Sequence, residues 1–169
     1  MTTNENTAAT TATSPDALVP APVQRLSMPE QAAEFYRSMI KLDRAANLGV
    51  DPIVAELVKI RASQINGCAF CLDMHTTDAR KLGEQEHRLY SLPAWRETPW
   101  FTARERAALA LTEAVTLVTE GHVPDAVYDE AAKQFDQQEL AQLIALIIAI
   151  NSWNRIAIAT RLSPAPRQA

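Results

Sequence analysis

Eight consecutive apolar residues, Leu143 to Ile150, sit inside a segment that opens on Asp136-Gln-Gln-Glu139 and closes before Ser163-Pro164. An acidic N-cap with Glu three residues later is a helix-start signal, so the segment reads as one long helix reaching about Leu162. A helix that is apolar on every face must lie at the centre of a helical core or between subunits. The run is much shorter than the roughly 20 residues that would span a bilayer. The expectation is therefore a helical protein with no membrane partner, placed in the cytoplasm.

Other start and stop signals fit that frame. Ser27-Met-Pro-Glu30 resembles a capping box with Pro in the first turn, and the following helix is expected to turn Phe35, Met39, Ile40 and Leu42 inward. Asp51-Pro52 opens a helix running to about Asn66, with Ile53, Val54, Leu57, Val58, Ile60 and Ile65 near helical spacing. Asn66-Gly67 breaks it, and a further helix starts at or near Cys68 and runs towards Leu82-Gly83. Pro93 and Pro99 bound an irregular stretch carrying Trp95 and Trp100. Thr102-Ala-Arg-Glu105 is a second capping box, leading through Ala107, Leu109, Leu111, Val115, Leu117 and Val118, and Gly121-His-Val-Pro124 is a break before a short helix through Val127 and Tyr128. Convincing β alternation is absent, glycines number only four, and good helix formers abound. The predicted fold is all-α: an orthogonal bundle of about six or seven helices over residues 25–162. Residues 1–24, rich in Thr, Ala and Pro, read as a disordered tail rather than a signal peptide, and 163–169 as a C-terminal tail.

The net charge of -4 argues against nucleic acid as a partner. The chain has only two cysteines, Cys68 and Cys71, too few and too close to form a stapling framework. They sit where one helix ends and the next begins. Free N–H groups and partial positive charge at a helix N-terminus favour thiolate over thiol, and the two-residue spacing permits a reversible dithiol/disulfide cycle. His75, four residues after Cys71, shares its helical face and can take its proton. Cys68 has Leu72 at the equivalent position. This makes Cys71 the expected attacking thiolate and Cys68 the resolving thiol. A base in an apolar bundle needs an orienting acceptor, for which Glu56, on the preceding helix, is the candidate. A zinc site recruiting His75 with His87 or His122 is disfavoured, because no second cysteine pair exists. Asn151, Trp153, Asn154 and Arg155 interrupt the apolar helix and are expected to tie it to neighbouring backbone or to another subunit.

The run from Glu56 through Cys68-Ala-Phe-Cys71 to His75, with Phe101-Thr-Ala-Arg-Glu-Arg and Asn151-Ser-Trp-Asn-Arg155, resembles the alkylhydroperoxidase D family of the carboxymuconolactone decarboxylase-like superfamily. The resemblance spans roughly Met28 to Leu162. It implies an all-α fold, a homo-oligomer (trimer or hexamer), and thiol-dependent reduction of a hydroperoxide substrate without a cofactor. The implied reductant is an external dithiol on a lipoyl-bearing or thioredoxin-like protein. It also implies Cys71 as peroxidatic, Cys68 as resolving, His75 as proton acceptor and Glu56 as part of the relay. The best-known members carry a histidine where this chain has Phe70, so one relay group is missing here. Two alternatives remain open: a lyase acting on a small lactone acid, and a redox-responsive oligomer with little turnover.

Overall fold

The carboxylate of Asp51 accepts the backbone N–H groups of Ile53 and Val54, both at 3.0 Å, and with Pro52 at the first helical position it fixes the start of the most buried amphipathic segment in the chain. A computed structural model describes residues 19–165 of the protein; residues 1–18, in the expected N-terminal tail, and 166–169, in the C-terminal one, lie outside it. The described helices are α1 (Met28–Gln31), α2 (Ala33–Ala46), α3 (Pro52–Asn66), α4 (Ala69–Lys81), α5 (Glu86–Ser91), α6 (Ala103–Thr116), α7 (Asp125–Gln134) and α8 (Gln137–Thr160). Two 3-10 turns, Leu92–Glu97 and Val118–Glu120, complete the set, and no strand occurs among the described residues.

The architecture is a helical bundle organised around α3 and α8. Val54 and Val58 of α3 pack with Leu111 of α6, Phe135 beyond α7, and Leu143, Leu146 and Ile147 of α8. Leu57 and Ile60 face another side, against Leu89, Leu92, Trp95 and Leu109. A third, smaller cluster joins Ala62, Cys68, Cys71, Ile150 and Ala157. Full burial of a Leu or Ile side chain contributes about 1.5–3 kcal/mol, so α3 and α8 hold the bundle chiefly by being enclosed. By length and composition α8 could cross a membrane, but half of that stretch is buried within the bundle, with Asn151 and Asn154 among its buried residues.

Both later capping boxes form: Thr102 with Glu105, and Asp136 with Glu139. The first does not. Ser27 makes no side-chain cap, α1 ends after one turn, and Ala32 (φ -138°, ψ 53°) breaks the path before α2, which raises the helix number to eight. The expected inner face of α2 is corrected too. Met39 is buried, but Phe35, Ile40 and Leu42 are exposed, because α2 packs mainly on α8 and only a narrow stripe is covered. Leu117 and Val118 are likewise exposed, since α6 stops at Thr116. Trp95 is buried, while Trp100 is exposed with its ring against His87. The last helix ends at Thr160, two residues early, with Arg161 in the left-handed region (φ 56°).

Candidate active site

The α3–α4 corner is made by Gly67. Its φ of 71° is left-handed, a conformation that costs an L side chain and that glycine adopts freely. The turn lets Cys68 N–H donate to the carbonyl of Ser63 at 3.0 Å, and leaves Cys68 as the N-cap of α4. From there the Cys68 sulfur accepts the backbone N–H of Cys71 at 3.3 Å. Both cysteines are buried, with no disulfide between them. A hydrogen bond from Cys71, stronger than the opposing burial, lowers the Cys68 pKa to about 7. Cys71 is driven the other way, by that same bond to Cys68, by burial, and by the charge on its neighbour. The two shifts make Cys68 the more readily deprotonated sulfur of the pair. Reasoning from the i,i+4 histidine alone does not find this, because the helix terminus acts through the N-cap sulfur.

Glu56 and His75 meet as expected: Glu56 Oε2 lies 2.9 Å from His75 Nδ1. The other carboxylate oxygen accepts from Lys59 Nζ at 2.9 Å. All three side chains are buried, so the Glu56–Lys59 pair is not a solvated surface contact. Burial would raise the Glu56 carboxyl, but the bonds and charges of His75 and Lys59 together outweigh it and hold the pKa below its ordinary value. An anionic Glu56 keeps the proton of His75 on Nδ1 and leaves Nε2 as the free acceptor.

Two cavities meet the dithiol from different sides. One, about 310 Å³, is lined by Cys71 and His75 together with Tyr36, Phe70, Met74 and Trp153, and is mostly apolar. Tyr36 and Trp153 meet edge to face there, with ring centroids 5.4 Å apart. The other, more open, is lined by Gly67, Cys68 and Ala69 and by Arg161 and Ser163 beyond α8. Phe70, where the best-known relatives carry histidine, forms part of the first cavity's apolar wall.

Behind the sulfurs lies a network of amides. Asn66 Nδ2 donates to Asn151 Oδ1 (3.0 Å) and to Asn154 Oδ1 (2.8 Å). Asn151 Nδ2 donates to Thr116 Oγ1 and to the Ile147 carbonyl. The expectation that these residues tie α8 to its neighbours is met for Asn151, Asn154 and Trp153, but not for Arg155. Arg155 donates back to Asn151 within the helix, and Trp153 Nε1 donates to Asp43. Lys59 is the site residue that sequence reasoning missed, because it carries an i,i+3 signal indistinguishable from a surface pair. No group of three or more His, Cys, Asp or Glu among the described residues is arranged to hold a metal.

Comparison with known proteins agrees with the all-α fold. The model of the carboxymuconolactone decarboxylase family matches residues 31–114. YdfG of Bacillus subtilis strain 168, itself uncharacterised, is 44% identical over 137 residues, covering 80% of this chain and 93% of YdfG. The uncharacterised YnjA of Escherichia coli K12 is 37% identical over 98 residues, covering 58% of this chain and 53% of YnjA. Among solved structures, a protein of unknown function from Agrobacterium tumefaciens, provisionally described as the antioxidant defence protein AhpD, superposes with a TM-score of 0.82 at 34% identity. That match covers 85% of this chain and all of the other. An uncharacterised peroxidase-related protein from Silicibacter sp. TM1040 shares the fold, with a TM-score of 0.68 at 22% identity over 79% of this chain and 71% of its own.

Proposed function

The chain belongs to the carboxymuconolactone decarboxylase family, among its AhpD-like members, and on that premise we propose that it is a thiol-dependent hydroperoxidase working through Cys68 and Cys71. The observation that carries the reading is the shared lining of one apolar cavity by Cys71 and by a histidine held on a buried carboxylate. The family's decarboxylase name does not carry over, because lactone chemistry has no use for a dithiol.

In the proposed cycle the Cys71 proton passes to Nε2 of His75. The Cys71 thiolate attacks the terminal oxygen of the hydroperoxide. An S–O bond forms, the O–O bond breaks, and the alkoxide takes a proton from His75 and leaves as alcohol. The Cys68 thiolate then attacks the sulfenic sulfur, forming the disulfide, and the hydroxide that leaves takes a proton from solvent and departs as water. The peroxide gains the two electrons that the dithiol loses. An external dithiol on a lipoyl-bearing or thioredoxin-like protein restores the thiols, entering at Cys68 from the more open cavity. A cytoplasmic setting, where thiols are kept reduced, suits such a cycle. Exposed Phe35 and Leu42 on α2 suit a contact between subunits of a homo-oligomer, a trimer or hexamer.

A second reading has one observation of its own. The charge on the Cys68 N-cap sulfur suits direct thiol–disulfide exchange starting at Cys68, so the protein would act as a disulfide oxidoreductase or redox-responsive oligomer. Stopped-flow mixing of reduced protein with cumene hydroperoxide separates the two. The peroxidase reading expects two thiols lost per chain, faster than free cysteine reacts, with Cys71→Ser abolishing the reaction and Cys68→Ser stopping it at the sulfenic acid. Reaction no faster than free cysteine overturns it in favour of exchange.

A further inference from the structure

His75 lies between two cavities of opposite character. On one side is the apolar cavity that it shares with Cys71. On the other is an open, polar one of about 490 Å³, lined by Glu56 and Lys59 of α3, Asp43 and Arg44 of α2, and Asp78 of α4. The charges around the imidazole are matched in sign. Glu56 meets His75 Nδ1 with one oxygen and Lys59 Nζ with the other, each at 2.9 Å. Asp43 and Arg44 line the polar cavity with opposite charges, and Asp78 is paired with Lys81 at 2.7 Å. On the apolar side the titratable groups are Tyr36 and Cys71, with Asp43 reaching that cavity as well. Among the described residues, Lys59 is the one lysine or arginine bonded to Glu56. Glu56, Lys59 and His75 are each less than a tenth exposed, so solvent screens their charges weakly.

A buried carboxylate against an imidazole has two stable arrangements. Without a cation of its own, it draws a second proton onto the ring, and the two form an ion pair. With a cation on its far oxygen it is already balanced, and the ring stays uncharged. Only the uncharged ring has a lone pair on Nε2 to accept the Cys71 proton. We propose that Lys59 is a positioning residue for the relay: its ammonium group, bound to the far oxygen of Glu56, balances that carboxylate so that His75 rests as an uncharged imidazole able to act as a base. The inference rests on the role given to His75 in the thiol cycle. Lys59 does not line the cavity that holds Cys71, and it acts through Glu56. A buried ion pair contributes little net stability, because desolvation offsets the attraction, so the place of this one beside the relay is accounted for by its charge.

The test is nitrogen-15 NMR of the His75 ring at pH 7, on reduced full-length protein without peroxide, which distinguishes imidazole from imidazolium. Wild-type protein is expected to show a mainly uncharged ring with its proton on Nδ1. Lys59→Gln keeps an N–H donor for Glu56 but removes the charge, Lys59→Met removes both, and Lys59→Arg keeps both. Gln and Met are expected to show mainly imidazolium, and Arg the uncharged ring. Should Met fail to fold, Gln, which retains the bond to Glu56, carries the test. The pH profile of thiol loss with cumene hydroperoxide reads the same change. In Lys59→Gln the rate should fall about 10-fold near pH 6 and rejoin wild type by about pH 9, the scale on which one neighbouring charge alters a proton equilibrium. A ring as uncharged in folded Lys59→Gln as in wild type, an imidazolium in the wild type, or a rate lowered equally at every pH overturns the proposal. The ring spectrum needs no peroxide, so failure of the peroxidase reading in the stopped-flow experiment leaves it independently readable.

Discussion

The sulfur of Cys68 accepts the backbone N–H of Cys71 at 3.3 Å, so the first cysteine of the motif caps the helix that carries the second. With the Cys71 thiol as a further donor, this holds the Cys68 pKa at about 7 and pushes that of Cys71 upward. Reduced protein is thus expected to show one thiolate per chain forming around pH 7 and none further across the neutral range. Cys71→Ala keeps the backbone N–H but removes the thiol donor. The Cys68 midpoint should then rise towards the ordinary thiol range. Iodoacetamide alkylation against pH, with mass spectrometry to locate the label, reads both. Equal labelling of the two cysteines at pH 7 would contradict the assignment.

Much of this site is legible before any coordinates. The Asn-Gly break, the cysteine pair at a helix start, and His75 one turn on are local features, and the backbone follows them closely. The Glu56–His75 bond is also reachable, since a tight corner between two helices brings their facing sides together. What sequence could not give is which polar residues lose their water. Lys59 at i+3 from Glu56 has the spacing of a surface ion pair, and only tertiary packing around α3, with α2 and α4 alongside, makes it a buried one. The α2 face fails for the same reason in reverse. Phe35 and Ile40 keep a helical period, but the bundle offers α2 one narrow contact, and the period cannot say how wide the covered stripe is. The helix start at or near Cys68 is legible, but not the Cys68 sulfur as capping acceptor, because cysteine is not among the residues usually expected there.

Glu56→Gln tests the relay. Glutamine still reaches His75 but carries no charge to hold the Nδ1 proton, and it leaves Lys59 without its anion. Peroxide reduction is expected to fall about 100-fold or more, the scale of losing an effective general base, and stability by about 1–3 kcal/mol. Adding Lys59→Met should return most of the stability and none of the activity. Paired urea titrations and stopped-flow rates on the single and double variants distinguish the two effects. Recovery of activity in the double variant would show that Glu56 acts only as a partner for Lys59.

Leu146 tests the central role of α8. Its side chain is fully enclosed between α3, α6 and α8 in the cluster of Val54, Val58 and Leu111. Leu146→Ala should destabilise the fold by about 2–5 kcal/mol, from lost burial plus the cavity left behind. The exposed Ile148 two residues later is the internal control, since Ile148→Ala removes little buried area. Chemical denaturation of both variants, with equal m-values, reads the difference. Equal loss at the two positions would mean that Ile148 is covered in solution by another chain.

Acid sensitivity follows from Glu113, which ties the irregular stretch to the bundle. One oxygen accepts from Arg61 Nε at 2.7 Å and from Trp95 Nε1 at 2.9 Å, while Arg96 pairs with the other. Burial raises its pKa, but the bonds from Trp95, Arg96 and Arg61 together lower it below the ordinary 4.5. Glu56 is shifted in the same direction. A carboxylate whose folded pKa lies below its unfolded one binds fewer protons in the folded state, so folding gains from it above about pH 4.5. The gain disappears as pH falls through the lowered folded value. Glu113→Gln has no proton to take up. At pH 7 its Tm should lie below that of wild type, since Arg61 and Arg96 lose their anion. Between pH 4.5 and 3 the wild-type Tm should fall more steeply, so that the two curves converge. Thermal denaturation across pH 3–7 measures this directly, and curves that stayed parallel to pH 3 would mean that Glu113 is not held as an anion in the folded protein.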